Sequence, residues 1–211
     1  NLGILVGSIF FGPIVDRYGY RVILIISTLF ILAGIEGIAF ANTFGLLQVT
    51  VFVVGVSGGV VNGGTNALVA DISEDGRGAG LSLFGVFFGI GAFGVPFVLS
   101  FLLGSFDYSQ IVAGMGLLVV APIVFFALTR FPESKQPHGF PLRDALGLVS
   151  DRTLLLLGGV LFLQSGLEAT SGGWSAEYAG AVLGVSGSRA VLLLSLFWAG
   201  MVLARLVLGV W

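Results

Sequence analysis

The stretch Gly78–Phe106 has the sequence GAGLSLFGVFFGIGAFGVPFVLSFLLGSF and contains no charged side chain. A helix needs roughly 20 apolar residues to cross the hydrocarbon core of a bilayer, so this stretch is long enough to span it. Its apolar and polar residues do not alternate with a period of two, which disfavours a transmembrane strand. The stretch therefore predicts a transmembrane helix.

Comparable apolar runs recur along the chain. They are Val22–Ala41, Phe44–Ala70, Tyr108–Thr129, Thr153–Ala176 and Arg189–Val210. The opening run, Asn1–Val15, is apolar but too short to span, and we expect it to be part of a helix that begins earlier in a longer protein. Together the runs predict an all-α polytopic bundle with about seven helices.

The composition agrees with a membrane protein and excludes several classes of function. Hydrophobic side chains make up 56% of the chain and charged ones only 9%, whereas soluble domains are about 25% charged. The net charge of −2 provides no basic surface for nucleic acid. The chain has no cysteine and one histidine, so we expect no disulfide, no thiol nucleophile, no metal site and no cofactor.

The cations collect in alternate connections between the apolar runs. Those on this one side are Arg17, Arg21, Arg77, Arg130, Lys135, Arg143 and Arg152. By the positive-inside rule, these connections face the cytoplasm. We therefore predict a multi-pass protein of the plasma membrane or of a bacterial inner membrane, with the lipid bilayer as its surroundings.

The most specific motif is the segment Gly12–Leu24, GPIVDRYGYRVIL. Taken alone, it is consistent with an ordinary charged loop. It also resembles the major facilitator superfamily, whose signature Gly-x-x-x-Asp-Arg-x-Gly-x-Arg lies between the second and third helices. Every fixed position of that signature is present between Gly12 and Arg21.

The resemblance implies a register for the whole chain. The predicted helices correspond to the second to eighth of the family's twelve, so the given sequence is expected to be a fragment. Residues 1–130 would form the N-terminal half-bundle, 131–152 the central cytoplasmic loop, and 153–211 the start of the C-terminal half-bundle. Within the loop, Leu142, Leu146 and Val149 have the spacing of a short interfacial helix.

The same resemblance implies a cytoplasmic gate. In the family, the signature loop and the loop between the fourth and fifth helices pair when the protein faces outward and separate when it faces inward. The corresponding residues here are Asp16, Arg21 and Arg77.

Polar side chains within the apolar runs are the candidates for substrate binding, because each is costly in a bilayer unless it is paired or faces water. Asn62 and Asn66 are one helical turn apart, as are Gln164 and Glu168, and Trp174 follows on the same run. The alternative is that the asparagines bond between helices and the aromatic residue belongs to an interfacial belt. We also expect Gly172-Gly173 to loosen this helix near a central site.

Four looser patterns resemble the branch of the family that contains fucose permeases and glucose/galactose carriers. They are Asn62–Asp71, Leu81–Pro96, Gly166–Tyr178 and Phe197–Arg205. The resemblance implies a neutral sugar as substrate and a proton as coupling ion. Amides and a carboxylate suit sugar hydroxyls, and an indole face suits sugar C–H groups. Asn62 stands where that branch has a carboxylate, so Glu168 or a residue of the first helix would carry the proton.

Three alternatives stay open at this stage. The glycines of the fifth helix partly resemble the motif of proton-driven drug-efflux antiporters, although Val95 separates Gly94 from Pro96. A membrane enzyme would need a nucleophile, a metal cluster or an acid–base pair at depth, which the sequence does not provide. A scaffold or sensor on the same fold would bind without moving its ligand.

Neutralising the gate carboxylate should stop transport without affecting membrane insertion. We expect Asp16→Asn, in the protein expressed from its complete gene, to insert normally and to lose most of its transport rate. The reason is that the arginines of the gate would lose their anionic partner. Uptake assays at matched expression levels test this, and an unaltered rate would count against the gate.

Overall fold

The computed structural model describes residues 1–73, 77–133 and 150–209, which are helical apart from short connections. The helices are α1 Leu2–Tyr18, α2 Tyr20–Ala39, α3 Phe44–Ile72, α4 Arg77–Leu102, α5 Tyr108–Leu118, α6 Val120–Leu128, α7 Arg152–Ala181 and α8 Gly187–Gly209. These residues include no strand, so the all-α prediction is confirmed. The predicted interfacial helix at residues 142–149 lies outside the described part of the chain.

Six spans in the described residues are long and apolar enough to cross a bilayer, and α5 with α6 counts as one of them, Tyr108–Leu128. The two helices are separated only by Val119. Pro122 explains the break, because it has no N–H group for the carbonyl of Leu118, four residues earlier. The predicted single helix over Tyr108–Thr129 is therefore an interrupted one.

The first predicted loop is much shorter than the charge pattern suggests. Helix α1 continues through Asp16 and Arg17 to Tyr18, and α2 begins at Tyr20. Only Gly19 separates the two helices, with φ 78° and ψ 165°. This backbone conformation is essentially restricted to glycine, which explains why a one-residue connection is possible at this position.

Polar residues at the helix starts satisfy N–H groups that have no partner within the helix. The Thr43 hydroxyl accepts a hydrogen bond from the N–H of Leu46 at 3.2 Å, and Asp151 Oδ1 accepts one from the N–H of Leu154 at 2.9 Å. These caps lie in the polar connections that separate the apolar runs. They fix the starts of α3 and α7.

The described helices group by contact into two compact units. One unit lies within Asn1–Leu81 and Phe106–Phe140, and the other within Ser82–Ser105 and Pro141–Trp211. In the first unit, α3 packs against both α1 and α2, and α2 also packs against α5 and α6. In the second unit, α7 packs against α8. These units differ from the half-bundles that the family resemblance implies. The boundaries at residues 130 and 152 stay a prediction.

Helices α1 and α3 approach closely through glycines. A Cβ atom at Gly3 would lie 2.5 Å from the carbonyl oxygen of Phe52, and one at Gly59 would collide with the backbone of Ile4. Gly63, one turn further along α3, lies against the ring of Phe11. These contacts show that the glycines of α3 form a packing surface for α1, as small residues do in other membrane helices.

The burial pattern is that of a protein surrounded by lipid. A small core of the first unit contains Val15, Tyr20, Ile23, Leu24 and Val60. Many large apolar side chains are exposed instead, among them Phe162, with 78% of its surface accessible. In water such a surface would be unfavourable, but in a bilayer the exposed apolar side chains face hydrocarbon. The chain is a multi-pass integral membrane protein.

An alanine at Gly59 should weaken the packing of α1 on α3. The added carbon would lie 3.1 Å from both the Cα and the carbonyl carbon of Ile4, so the helices would have to separate. We expect Gly59→Ala to lower the free energy of unfolding by about 1–3 kcal/mol. The measurement is Tm in detergent.

The matched control is Gly58→Ala on the same helix. A Cβ atom at Gly58 meets no atom within 4 Å, and alanine favours a helix more than glycine does. We expect Tm to be unchanged or slightly higher for this variant. Equal Tm values for the two variants would contradict the close approach at Gly59.

Candidate functional site

The predicted substrate-binding residues are divided between the two units. Asn62 and Asn66 lie on α3 in the first unit. Gln164, Glu168 and Trp174 lie on α7 in the second. The structure brings Asn62 to Asn66 and Gln164 to Glu168. A joint role for the five residues stays a prediction.

The asparagines form a pair along one helix. Asn66 Nδ2 donates to the backbone oxygen of Asn62 at 2.8 Å and to Asn62 Oδ1 at 3.2 Å. Both bonds lie within one helix, and among the described residues these amides make no hydrogen bond to another helix. The Nδ2 group of Asn62 and the Oδ1 atom of Asn66 make no hydrogen bond within the described residues. The pair thus retains one donor group and one acceptor for a ligand.

Gln164 and Glu168 also meet on one helix face, as their spacing predicts. Gln164 Nε2 donates to Glu168 Oε1 at 3.3 Å. Gln164 is exposed and Glu168 is half-buried. The amide holds the carboxylate in place and still has an oxygen acceptor of its own. An amide beside a carboxylate is an arrangement that can bind adjacent hydroxyl groups.

The expected loosening of α7 at Gly172-Gly173 is wrong. The helix is continuous from Arg152 to Ala181. The physical reason is that backbone groups in hydrocarbon have no water to bond, so two glycines do not suffice to end a helix. The Thr170 hydroxyl, which donates to the carbonyl oxygen of Gly166 at 2.8 Å, remains bonded within the helix.

Trp174 lies on the surface of the second unit, with 67% of its area accessible. A cavity of about 550 Å³ in this unit has a different tryptophan in its wall. Its lining residues are Phe87, Phe88, Gly91, Ala92, Val95, Pro96, Gly172, Leu194 and Trp198. The lining is predominantly apolar and aromatic.

Phe88 and Trp198 were not predicted as site residues. Their rings meet edge to face, with centroids 6.0 Å apart. Trp198 also contacts Phe197 at 5.4 Å. The sequence did carry a signal, since a tryptophan within an apolar run is more costly to place than a phenylalanine. Only the packing of the helices, however, brings Phe88 of α4 to Trp198 of α8.

The predicted gate residues lie at the ends of helices in the first unit. Asp16 is in the last turn of α1, Arg21 in the first turn of α2, and Arg77 at the start of α4. Arg21 donates from Nη2 to the carbonyl oxygen of Ala127, near the end of α6. Within the described residues, no ion pair joins the three side chains. Their role as a gate stays a prediction.

A contact beside these residues was not predicted. Tyr20, only 4% exposed, donates its hydroxyl group to Asp71 Oδ2 at the end of α3. Tyr20 occupies a variable position of the signature, so the motif gave no reason to select it. This hydrogen bond and that of Arg21 attach the start of α2 to both α3 and α6. The charged turn is thereby held firmly within the first unit.

Glu36, to which the sequence assigned no role, lies against α5. It is half-buried, and its Oε1 atom is buried without a hydrogen-bond partner in the part of the chain that the structure describes. The side chain rests over Gly116, and a Cβ atom there would lie 3.1 Å from the Glu36 carboxylate carbon. Gly116 thus provides the space that the carboxyl group occupies.

The described helices, six of whose spans are long and apolar enough to cross a bilayer, define a polytopic membrane protein. The model of the Major Facilitator Superfamily matches residues 1–211, the full length of the chain. The chain belongs to this superfamily, whose members are transporters rather than enzymes. No curated protein and no solved structure matches it.

Removing the Tyr20 hydroxyl group should destabilise the first unit. Tyr20→Phe keeps the ring in the core but takes one hydrogen-bond donor from Asp71. Hydrogen bonds to charged groups contribute about 1.5–3 kcal/mol, so we expect a loss of about 1–2 kcal/mol in unfolding free energy. The measurement is Tm in detergent.

The neighbouring tyrosine provides the control. Tyr18 is exposed, and its hydroxyl group makes no hydrogen bond among the described residues, so Tyr18→Phe should leave Tm unchanged. If both variants had the Tm of the unmodified protein, the bond from Tyr20 to Asp71 would have no structural importance.

Proposed function

We propose that the protein moves a small neutral solute, a sugar, across the membrane by alternating access, together with a proton. The observation that carries this proposal is the hydrogen-bonded pair of Gln164 and Glu168 on a membrane-spanning helix. Polar groups at this depth are expensive and mark substrate or ion pathways.

The chemistry of the polar groups supports a neutral, hydroxyl-rich substrate. The pairs Asn62–Asn66 and Gln164–Glu168 offer both donors and acceptors, which is what a ring of hydroxyl groups needs. Apart from Arg205, whose side chain is outside the described part, the cations of the described residues lie at helix ends or beyond them. A charged substrate such as a carboxylate would require a cation deep in the bundle.

Glu168 is our candidate for the proton carrier. A protonated carboxyl group donates one hydrogen bond, while a carboxylate only accepts them. Gain and loss of the proton would therefore change how this group binds both Gln164 and a substrate hydroxyl. A neutral carboxyl group also crosses a low-dielectric environment at much lower cost than a carboxylate. Coupling would follow if substrate binds the protonated form more tightly.

A second candidate function is proton-driven efflux of apolar compounds. The cavity of about 550 Å³ beside Phe88 and Trp198 favours it, since its lining is predominantly apolar. Gly91 and Pro96 of α4 lie in the same wall, which links the cavity to the glycines that resemble the antiporter motif. A planar aromatic compound would fit such a wall better than a sugar does.

The first experiment uses the protein expressed from its complete gene in weakly buffered cells. External pH is followed while a panel of sugars is added one at a time. We expect alkalinisation with one sugar, because a symporter takes up a proton with each substrate molecule. No pH change with any sugar, at confirmed expression, would count against proton–sugar symport. Labelled-sugar uptake and dye extrusion then separate uniport from efflux, and ligand binding without either flux would indicate a scaffold or sensor.

Glu168→Gln tests the coupling residue. The amide keeps the size and most hydrogen bonds but cannot exchange a proton, so sugar accumulation against a gradient should fall by about tenfold or more, equal to about 1.4 kcal/mol. Equilibrium exchange of labelled sugar should persist. Glu177→Gln, at an exposed carboxylate on the same helix, is the matched control and should accumulate sugar normally. Equal accumulation by both variants would exclude Glu168 as the carrier.

A further inference from the structure

We propose that the first unit binds the phosphate group of a membrane phospholipid in a cleft between the turn at Gly19 and the segment after α6. The cleft has a volume of about 380 Å³. Two guanidinium groups, Arg21 and Arg130, line it together with Tyr18 and Phe131. The inference is independent of which solute the protein moves.

The position of the cleft matches the level of lipid headgroups. Gly19 joins the ends of α1 and α2, and Arg130 follows two residues after the end of α6 at Leu128. Three helices therefore end or begin around the cleft, which places it where the apolar spans meet water. This is also the side that the distribution of cations assigns to the cytoplasm.

The charges favour an anion. Arg21 and Arg130 are both exposed, and Glu133 is the one carboxylate among the lining residues. The contact between Arg21 Nη2 and the carbonyl oxygen of Ala127 orients that guanidinium and leaves its other N–H groups for a ligand. Arginine pairs bind phosphate through two parallel hydrogen bonds each, which a lysine cannot do. Basic pockets of this kind on the cytoplasmic side of membrane proteins suit lipid headgroups.

The aromatic residues distinguish a lipid from a soluble phosphate. Tyr18 is 56% exposed beside the arginines, and the guanidinium of Arg17 lies over its ring, 5.3 Å from the centroid. Phe131 is half-buried and contacts the ring of Phe126. An exposed tyrosine at a membrane interface offers an apolar surface to the glycerol and upper acyl region of a lipid. A free phosphate ion has no apolar groups that could pack against these aromatic surfaces.

The test measures Tm of the purified full-length protein in detergent with three additives. These are phosphatidylglycerol, diacylglycerol with the same acyl chains, and inorganic phosphate. We expect phosphatidylglycerol to raise Tm by about 3 °C or more, since a ligand that binds only the folded state stabilises it. The other two additives should have little effect. An equal rise with diacylglycerol would overturn the role of the phosphate, and an equal rise with inorganic phosphate would overturn the assignment to lipid.

Three arginine variants test where phosphatidylglycerol binds. Arg130→Gln should lose the stabilisation by phosphatidylglycerol, while Arg152→Gln, at a cation outside the cleft on the same side, should retain it. Arg130→Lys keeps the charge without the bidentate geometry and should retain only part of the rise. The Tm of each variant without lipid is measured first. If Arg130→Gln is already destabilised without lipid, Arg130→Lys serves as the test instead. A full rise in Arg130→Gln would overturn the proposal.

Discussion

Backbone hydrogen bonding in hydrocarbon is the constraint on which the rest of the structure depends. A peptide group in the middle of a bilayer has no water to bond, so each span must satisfy its own N–H and C=O groups. This explains why α7 continues through Gly172-Gly173, where a soluble helix of similar sequence would be weaker. It also explains why the break between α5 and α6 is limited to Val119 near Pro122.

Once the helices exist, close approach and a few polar contacts decide how they pack. Apolar burial cannot favour helix contact over lipid contact, because lipid is as apolar as the side chains. Glycines therefore matter most where backbones touch, as Gly3 and Gly59 do between α1 and α3. At the predicted cytoplasmic end, Tyr20 and Arg21 add hydrogen bonds to α3 and α6. The signature turn is thus attached to its own unit, which gives the predicted gate residue Asp16 a defined position.

Polar groups within the spans both bond within their own helix and keep hydrogen-bonding capacity for a ligand. Asn66 and Gln164 each bond to a side chain one turn away, which lowers the cost of placing them in a bilayer. The same bonds leave donors and acceptors on one side for a ligand. The cavity beside Trp198 is different, because its lining is predominantly apolar. The polar pairs and the apolar cavity involve different residues, which makes the two proposed functions separable by experiment.

The sequence by itself determined the all-α membrane class, the family signature between Gly12 and Arg21, and the one-turn spacing of the polar pairs. These depend on apolar length and helical periodicity, which are local properties of a chain. The exact ends of the helices were less predictable, because capping residues such as Asp151 and helix-breaking residues such as Pro122 act within single turns. Only the tertiary structure decided that Tyr20 bonds Asp71, that Phe88 meets Trp198, and that Arg21 and Arg130 line one cleft. Each of these joins residues from different segments of the chain, and such contacts depend on how the helices cross, which no periodicity along a single helix contains.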